Sequence, residues 1–257
     1  MRLTALLVAF LLLATGCGGG GDTTAPAPEP DADEGGTVEE GTAMGAASIT
    51  GTISFAGDAP ARTPVRMKPE CMDEHDSTPL SESALVSESG GLKSVFVHVT
   101  MGLPDGYSYP APSEPAILDQ EGCQYVPHVM GVQAGQTIRI ENSDPFQHNI
   151  HPVPEKNRGF NESTPNEGDY LEKRFLVPEV MVSVKCDVHS WMQAYIGVLD
   201  HPYFSVSDAD GSFSIEGLPA GDYTIDAWHE EFGSQQMQVT VGDGEAATAD
   251  FSFSASS

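Results

Sequence analysis

The stretch Val180–Met192, VMVSVKCDVHSWM, decides how the rest of this chain is read. Its first half alternates. Val180, Val182, Val184 and Cys186 fall on one face of an extended strand, so the Cys186 sulfur is aimed toward the same side as three core valines and away from bulk water. Its second half packs Cys186, His189 and Met192 into a tight loop at the end of that strand. A thiolate, an imidazole and a thioether at this spacing read as soft metal ligands.

A fourth ligand must come from a neighbouring strand. Upstream, Thr137–Glu141 (TIRIE) alternates with Ile138 and Ile140 on one face, and it runs into Asn142–Asn149 (NSDPFQHN). His148 is the candidate. One thiolate, two imidazoles and a weak axial thioether make a mononuclear type 1 copper site, a compromise between the preferences of Cu(I) and Cu(II). Zinc would accept Cys and two His, but Met is a poor zinc ligand. A dinuclear copper site would need a second Cys where Ser190 stands. His151, three residues after His148, would point to the opposite strand face and reads as a surface or loop residue, the alternative being that it replaces His148 as the ligand. His75, His98, His128, His201 and His229 read as structural or exposed. Trp191 either packs on the loop backbone or joins an apolar docking patch.

With these residues in place, the chain resembles the cupredoxins. His148-Asn149 is similar to the family's upstream ligand and its following Asn. The Cys-x-x-His-x-x-Met spacing is similar to the short ligand loop of amicyanin rather than the longer loops of plastocyanin and azurin. The resemblance covers about Ala116 to Leu199. It implies a Greek-key β-sandwich with copper at one end and a role in electron transfer. It also implies Cys186 as thiolate, His148 and His189 as imidazole ligands, Met192 as axial ligand, and Asn149 as the brace of the ligand loop. Two features depart from the pattern. Ser190 stands where amicyanin has Pro, and the Pro154–Tyr170 segment is long and polar, suited to covering the site or docking a partner.

The tail, Phe204–Phe253, is a run of short strands. Asp208-Ala209-Asp210-Gly211 is a hairpin signal, and Tyr223 after the Leu218–Asp222 bend has the position of a tyrosine corner. SDADGSFSIEGLPAGDYTIDAWH (Ser207–His229) resembles the carboxypeptidase regulatory-like, transthyretin-type sandwich family. In that family an opening strand such as ITGTISFAGDAP (Ile49–Pro60) normally lies close before this stretch, whereas here the copper-type region intervenes. One reading is a small sandwich assembled from both ends with the other domain inserted. The alternative is three pieces in series. Lys93–Thr100 (KSVFVHVT) is a further strand, with Val95, Val97 and Val99 on one face. The fold class is therefore all-β, a Greek-key sandwich plus a second small sandwich, and 27 Gly and 19 Pro in 257 residues agree with it.

The N-terminus reads as an address. Met1-Arg2 is followed by a predominantly apolar run, Leu3–Leu13, too short to span a bilayer, which takes about 20 residues. Ala14-Thr15-Gly16-Cys17 then resembles a bacterial lipobox, with Cys17 lipidated. Residues 1–16 are a lipoprotein signal peptide, and 17–47, acidic and without aromatics, are a tether. Residues 48–110 are an N-terminal β segment, 111–200 the copper-type domain and 201–257 the tail sandwich. The protein is expected outside the cytoplasm, periplasmic or anchored at the outer membrane or cell surface, where disulfides persist. With Cys17 given to lipid and Cys186 to metal, Cys71 and Cys123 remain as a disulfide pair. Cys71–His75 lacks the spacing of a haem attachment.

The formal charge is −27, from 38 Asp+Glu against 11 Lys+Arg. That excludes a nucleic-acid binder, which needs a basic footprint, and it argues against docking on anionic lipid headgroups. It either steers a basic partner, such as a cytochrome c, or reflects a salty medium. No nucleophile elbow and no phosphate loop occur. The expected function is one-electron transfer at one copper, not enzymatic catalysis. The rivals are copper delivery and a surface interaction module with structural copper.

Overall fold

The computed structural model describes residues 39–40 and 45–255. Cys17, the expected signal peptide and most of the expected tether lie outside the described residues. Glu39–Glu40 pairs in parallel with Tyr107–Ser108. Among the described residues the regular structure is β, apart from the four-residue helix Pro69–Met72.

The central part is two facing sheets. One has five strands, in the order Glu162–Thr164, His148–Val153, Glu179–Lys185, Gln193–Leu199 and Val129–Gln133. The other has four, Tyr170–Lys173, Ile138–Asn142, Ala116–Glu121 and Gln124–Val126. Alternation supplies the shared core. Leu118, Ile138, Ile140, Ile150, Val182, Val184 and Ile196 turn inward, in one cluster with Tyr125, Cys186 and Met192. The alternation fails at one predicted place. Val180, expected on the core face, is exposed. The register with the Gln193–Leu199 strand shifts between Glu179 and Val182. Such an irregularity turns the residues before it to the other face. Glu179 is buried instead, and its carboxylate accepts the backbone N–H groups of Glu155, Lys156 and Asn157.

The second sandwich draws its strands from both ends of the chain. Ala47–Ala56 lies antiparallel to Ser212–Leu218 and parallel to Ala246–Thr248 and Phe251–Ser254. Phe96–Met101 lies between Phe204–Val206 and Gly221–His229, and the latter pairs with Gly233–Val241. The chain thus leaves this sandwich after Met101, builds the central one, and returns at Phe204. Turn chemistry matches the sequence. The Asp208 carboxylate accepts from Asp210 N and Ser212 N, with Gly211 at φ 82°. The buried Tyr223 hydroxyl donates to Pro219 O at 2.7 Å.

The two sandwiches share a seam. Phe96, Val129 and Leu199 are buried there, with Tyr195, Phe204 and Trp228 packed around them. Gly131 and Gly197 make it possible. A Cβ on Gly131 would stand 2.3 Å from the Phe204 ring, and one on Gly197 2.4 Å from the Phe96 ring. His128, just before its strand, pairs with Glu230 of the tail sandwich, and both are partly buried. His201 Nε2–H donates to Val99 O at 3.1 Å.

Candidate metal centre

Two strand ends and one loop build the site. His148 opens the His148–Val153 strand, and Cys186 directly follows Glu179–Lys185, its antiparallel neighbour. After Cys186 the chain turns at once. Met192 N donates to His189 O at 3.0 Å and Cys186 N donates to Met192 O at 3.3 Å, which closes the loop into the Gln193–Leu199 strand.

The closure brings one nitrogen of His148, one of His189 and the Cys186 sulfur within 4.8 Å of one another, all on buried residues. The two Nδ1 atoms are 2.9 Å apart, and Cys186 Sγ lies 4.0 Å from His189 Nδ1. Met192 is buried in the same core. His151 points away, partly exposed, to the Asp187 carboxylate at 2.9 Å.

The surroundings fix these groups. His148 Nε2–H donates to Asp144 Oδ2 at 2.7 Å, which leaves Nδ1 free as a ligand. The same carboxylate accepts from Gly122 N and Cys123 N, so it ties two turns together. Asn149 Oδ1 accepts from Asp187 N at 2.8 Å, Val188 N at 3.2 Å and the Cys186 thiol at 3.3 Å. Tyr125 OH donates to Asn149 O and Lys185 O, joining the strands that carry the ligands. The long Pro154–Tyr170 segment closes over this side. Its Glu162–Thr164 part pairs with the His148 strand, and Asn161 Oδ1 accepts from Asn149 Nδ2 at 2.6 Å.

The charges agree with a cation site. Burial alone would push the Cys186 thiol up, but the His148 and His189 rings and Asn149 outweigh it and bring it down to about 6. Burial likewise opposes the Asp144 charge, yet His148 and the Cys123 and Gly122 N–H groups hold that carboxyl below its ordinary range. The donor set of one soft sulfur and two imidazoles, with a carboxylate behind one of them, fits a copper ion.

On the opposite edge His189 is 2% exposed, and the Cys71 sulfur, in the Pro60–Leu92 arm, lies within 4.8 Å of one of its ring nitrogens. Cys71, in the short helix of that arm, is joined to Cys123 by a disulfide. Trp191 stacks near His189, ring centres 5.2 Å apart, and donates to Cys123 O at 3.1 Å, so it packs on the loop. The sequence reading missed Asp144, Tyr125 and Asn161, and missed where the disulfide lies. Asp144 stood in the quoted NSDPFQHN stretch. The contacts of Tyr125 arise across sheets and carry no spacing signal.

The sequence model of the carboxypeptidase regulatory-like domain matches residues 194–254. The matched stretch leaves out the front strands, Ala47–Ala56 and Phe96–Met101, that complete this sandwich. No curated protein matches the chain. Among solved structures, a copper-containing nitrite reductase from Thermus scotoductus SA-01 is 20% identical with a TM-score of 0.29, over 38% of this chain and 25% of its own. The chain thus spans about a quarter of that enzyme's length. A purple cupredoxin from Nitrosopumilus maritimus is 22% identical with a TM-score of 0.28, over 32% of this chain and 98% of its own. The Cu(I) form of a methionine-to-alanine variant of amicyanin is 18% identical with a TM-score of 0.30, over 35% of this chain and 96% of its own.

Proposed function

We propose that this protein is an exported, lipid-anchored electron carrier with one type 1 copper held by His148, Cys186, His189 and Met192. The convergence of three buried ligand atoms from two strand ends and one loop carries the reading. Copper bound there supplies a one-electron couple. The residues of the chain hold the ligands in place and exclude water. Asp144 orients the His148 ring, and Asn149 pins the backbone after Cys186 and accepts from its sulfur. Four protein ligands leave no position for a substrate, so the role is transfer and not catalysis. Burial of all three donors also disfavours copper delivery, which needs exchangeable ligands. Cys17 is the anchor to the membrane, and the acidic surface favours a basic redox partner such as a cytochrome c. Cyclic voltammetry of the copper-loaded protein tests the carrier role. A reversible one-electron wave that disappears in Cys186→Ser is expected. Bound copper without such a wave overturns it.

A further inference from the structure

The Cys71–Cys123 disulfide lies against the metal centre. Its two sulfurs and a ring nitrogen of His189 fall within 4.8 Å of one another, all on buried residues. Cys71 and Cys123 are both 0% exposed. Ligand atoms on opposite sides of one metal ion with bonds of about 2.3 Å stand at nearly that separation. As a disulfide the pair offers no thiolate. As two thiols, with His189, it is a soft sulfur–nitrogen set suited to monovalent copper.

The two cysteines are positioned by more than their own bond. Gly122 N and Cys123 N both donate to the Asp144 carboxylate, and Trp191 Nε1 donates to Cys123 O. On the arm, His75 Nε2 donates to Gly122 O at 2.8 Å, Met67 packs on the central core, and Glu82 accepts from Gln124 Nε2 at 2.8 Å. Gly122 and Cys123 take left-handed backbone, φ 59° and 54°, and a Cβ at Gly122 would stand 2.9 Å from the His75 ring, so the turn and the arm fit closely. Pro69, Glu70 and Asp73 around Cys71 are exposed, and a four-residue helix opens locally at little cost, which gives a reductant its access.

We propose that Cys71, Cys123 and His189 form a second, thiol-dependent site for Cu(I), available only when the disulfide is reduced. A dithiol breaks the Cys71–Cys123 bond by exchange, supplying two electrons and two protons and closing to its own disulfide. Cu(I) then replaces the thiol protons, which pass to solvent. The inference shares His189 with the copper site proposed above, but it reads Cys71 and Cys123 without it.

The test uses the full chain carrying Cys186→Ser, so the first site lacks its thiolate while the disulfide is intact. The protein is reduced with a dithiol, desalted without oxygen, and titrated with Cu(I) against a chromogenic Cu(I) chelator. Reduction should add one equivalent of retained Cu(I), with sulfur scattering in its X-ray absorption spectrum. The gain should vanish when Cys71→Ser and Cys123→Ser are added. No gain on reduction, a gain that survives the double replacement, or loss of the β-sheet circular dichroism on reduction each overturns the proposal. A missing blue band in the oxidised wild type would sink the electron-carrier reading and leave this result to stand or fall alone.

Discussion

Asp144 is buried, it ties the turn before His148 to the turn that carries Gly122 and Cys123, and its carboxylate accepts the His148 Nε2–H. A carboxylate behind a ligating imidazole fixes its tautomer and raises its basicity, and removing such a partner typically costs 10–100-fold in metal affinity. Asp144→Asn should therefore weaken copper binding by roughly that factor, as measured by competition with a chelator, while the visible band keeps its position. An unchanged affinity would show that the carboxylate is structural only. The juxtaposition of His148, Cys186 and His189 was legible because a ligand loop and a strand end are local in sequence. Asp144 was not, because a carboxylate four residues before a His has no fixed relation to it unless the chain turns between them, as it does here.

At the scale of strands, alternation was a sound guide where one face was solvent and a poor one elsewhere. In Phe96–Met101 the sequence marked Val97 and Val99 as core. The structure buries Phe96 and His98 on the other face as well, because the central sandwich covers it. In Glu179–Lys185 a register shift moved Val180 out and Glu179 in. Neither is readable from a period of two, since both depend on what packs from outside. The seam gives a prediction at this scale. Gly197→Ala would drive a methyl into the Phe96 ring, 2.4 Å away. Overpacking of this kind costs about 1–3 kcal/mol. Chemical denaturation should show that loss.

At the scale of the molecule, the front strands complete a sandwich whose other strands lie beyond the central one, so folding must join distant parts of the chain. The turn signals and the Tyr223 corner were legible because they are local. The seam between the sandwiches was not. Titration should report on it. Burial brings His98 and His229 down to about 4, with His201 adding to the effect on His98. A lowered histidine contributes stability that is present above its unfolded value near 6.5 and is lost as pH falls toward 4, on the order of 3 kcal/mol each. His128 has the opposite sign. Burial opposes its charge, but Glu230 outweighs burial and raises it. Its contribution is full below about 6.5 and is lost as pH rises through the raised value. Urea midpoints should fall from pH 6.5 to 4, and they should also decline on the alkaline side in the wild type but not in His128→Gln. A flat alkaline limb in the wild type would remove His128–Glu230 as an energetic link between the sandwiches.

The most direct measurement is the visible absorption spectrum of the Cu(II)-loaded protein beside that of Cys186→Ser. The account predicts an intense blue charge-transfer band from a thiolate–copper bond, present in the wild type and absent from the variant. A pale product, or a band that survives the loss of Cys186, would contradict it.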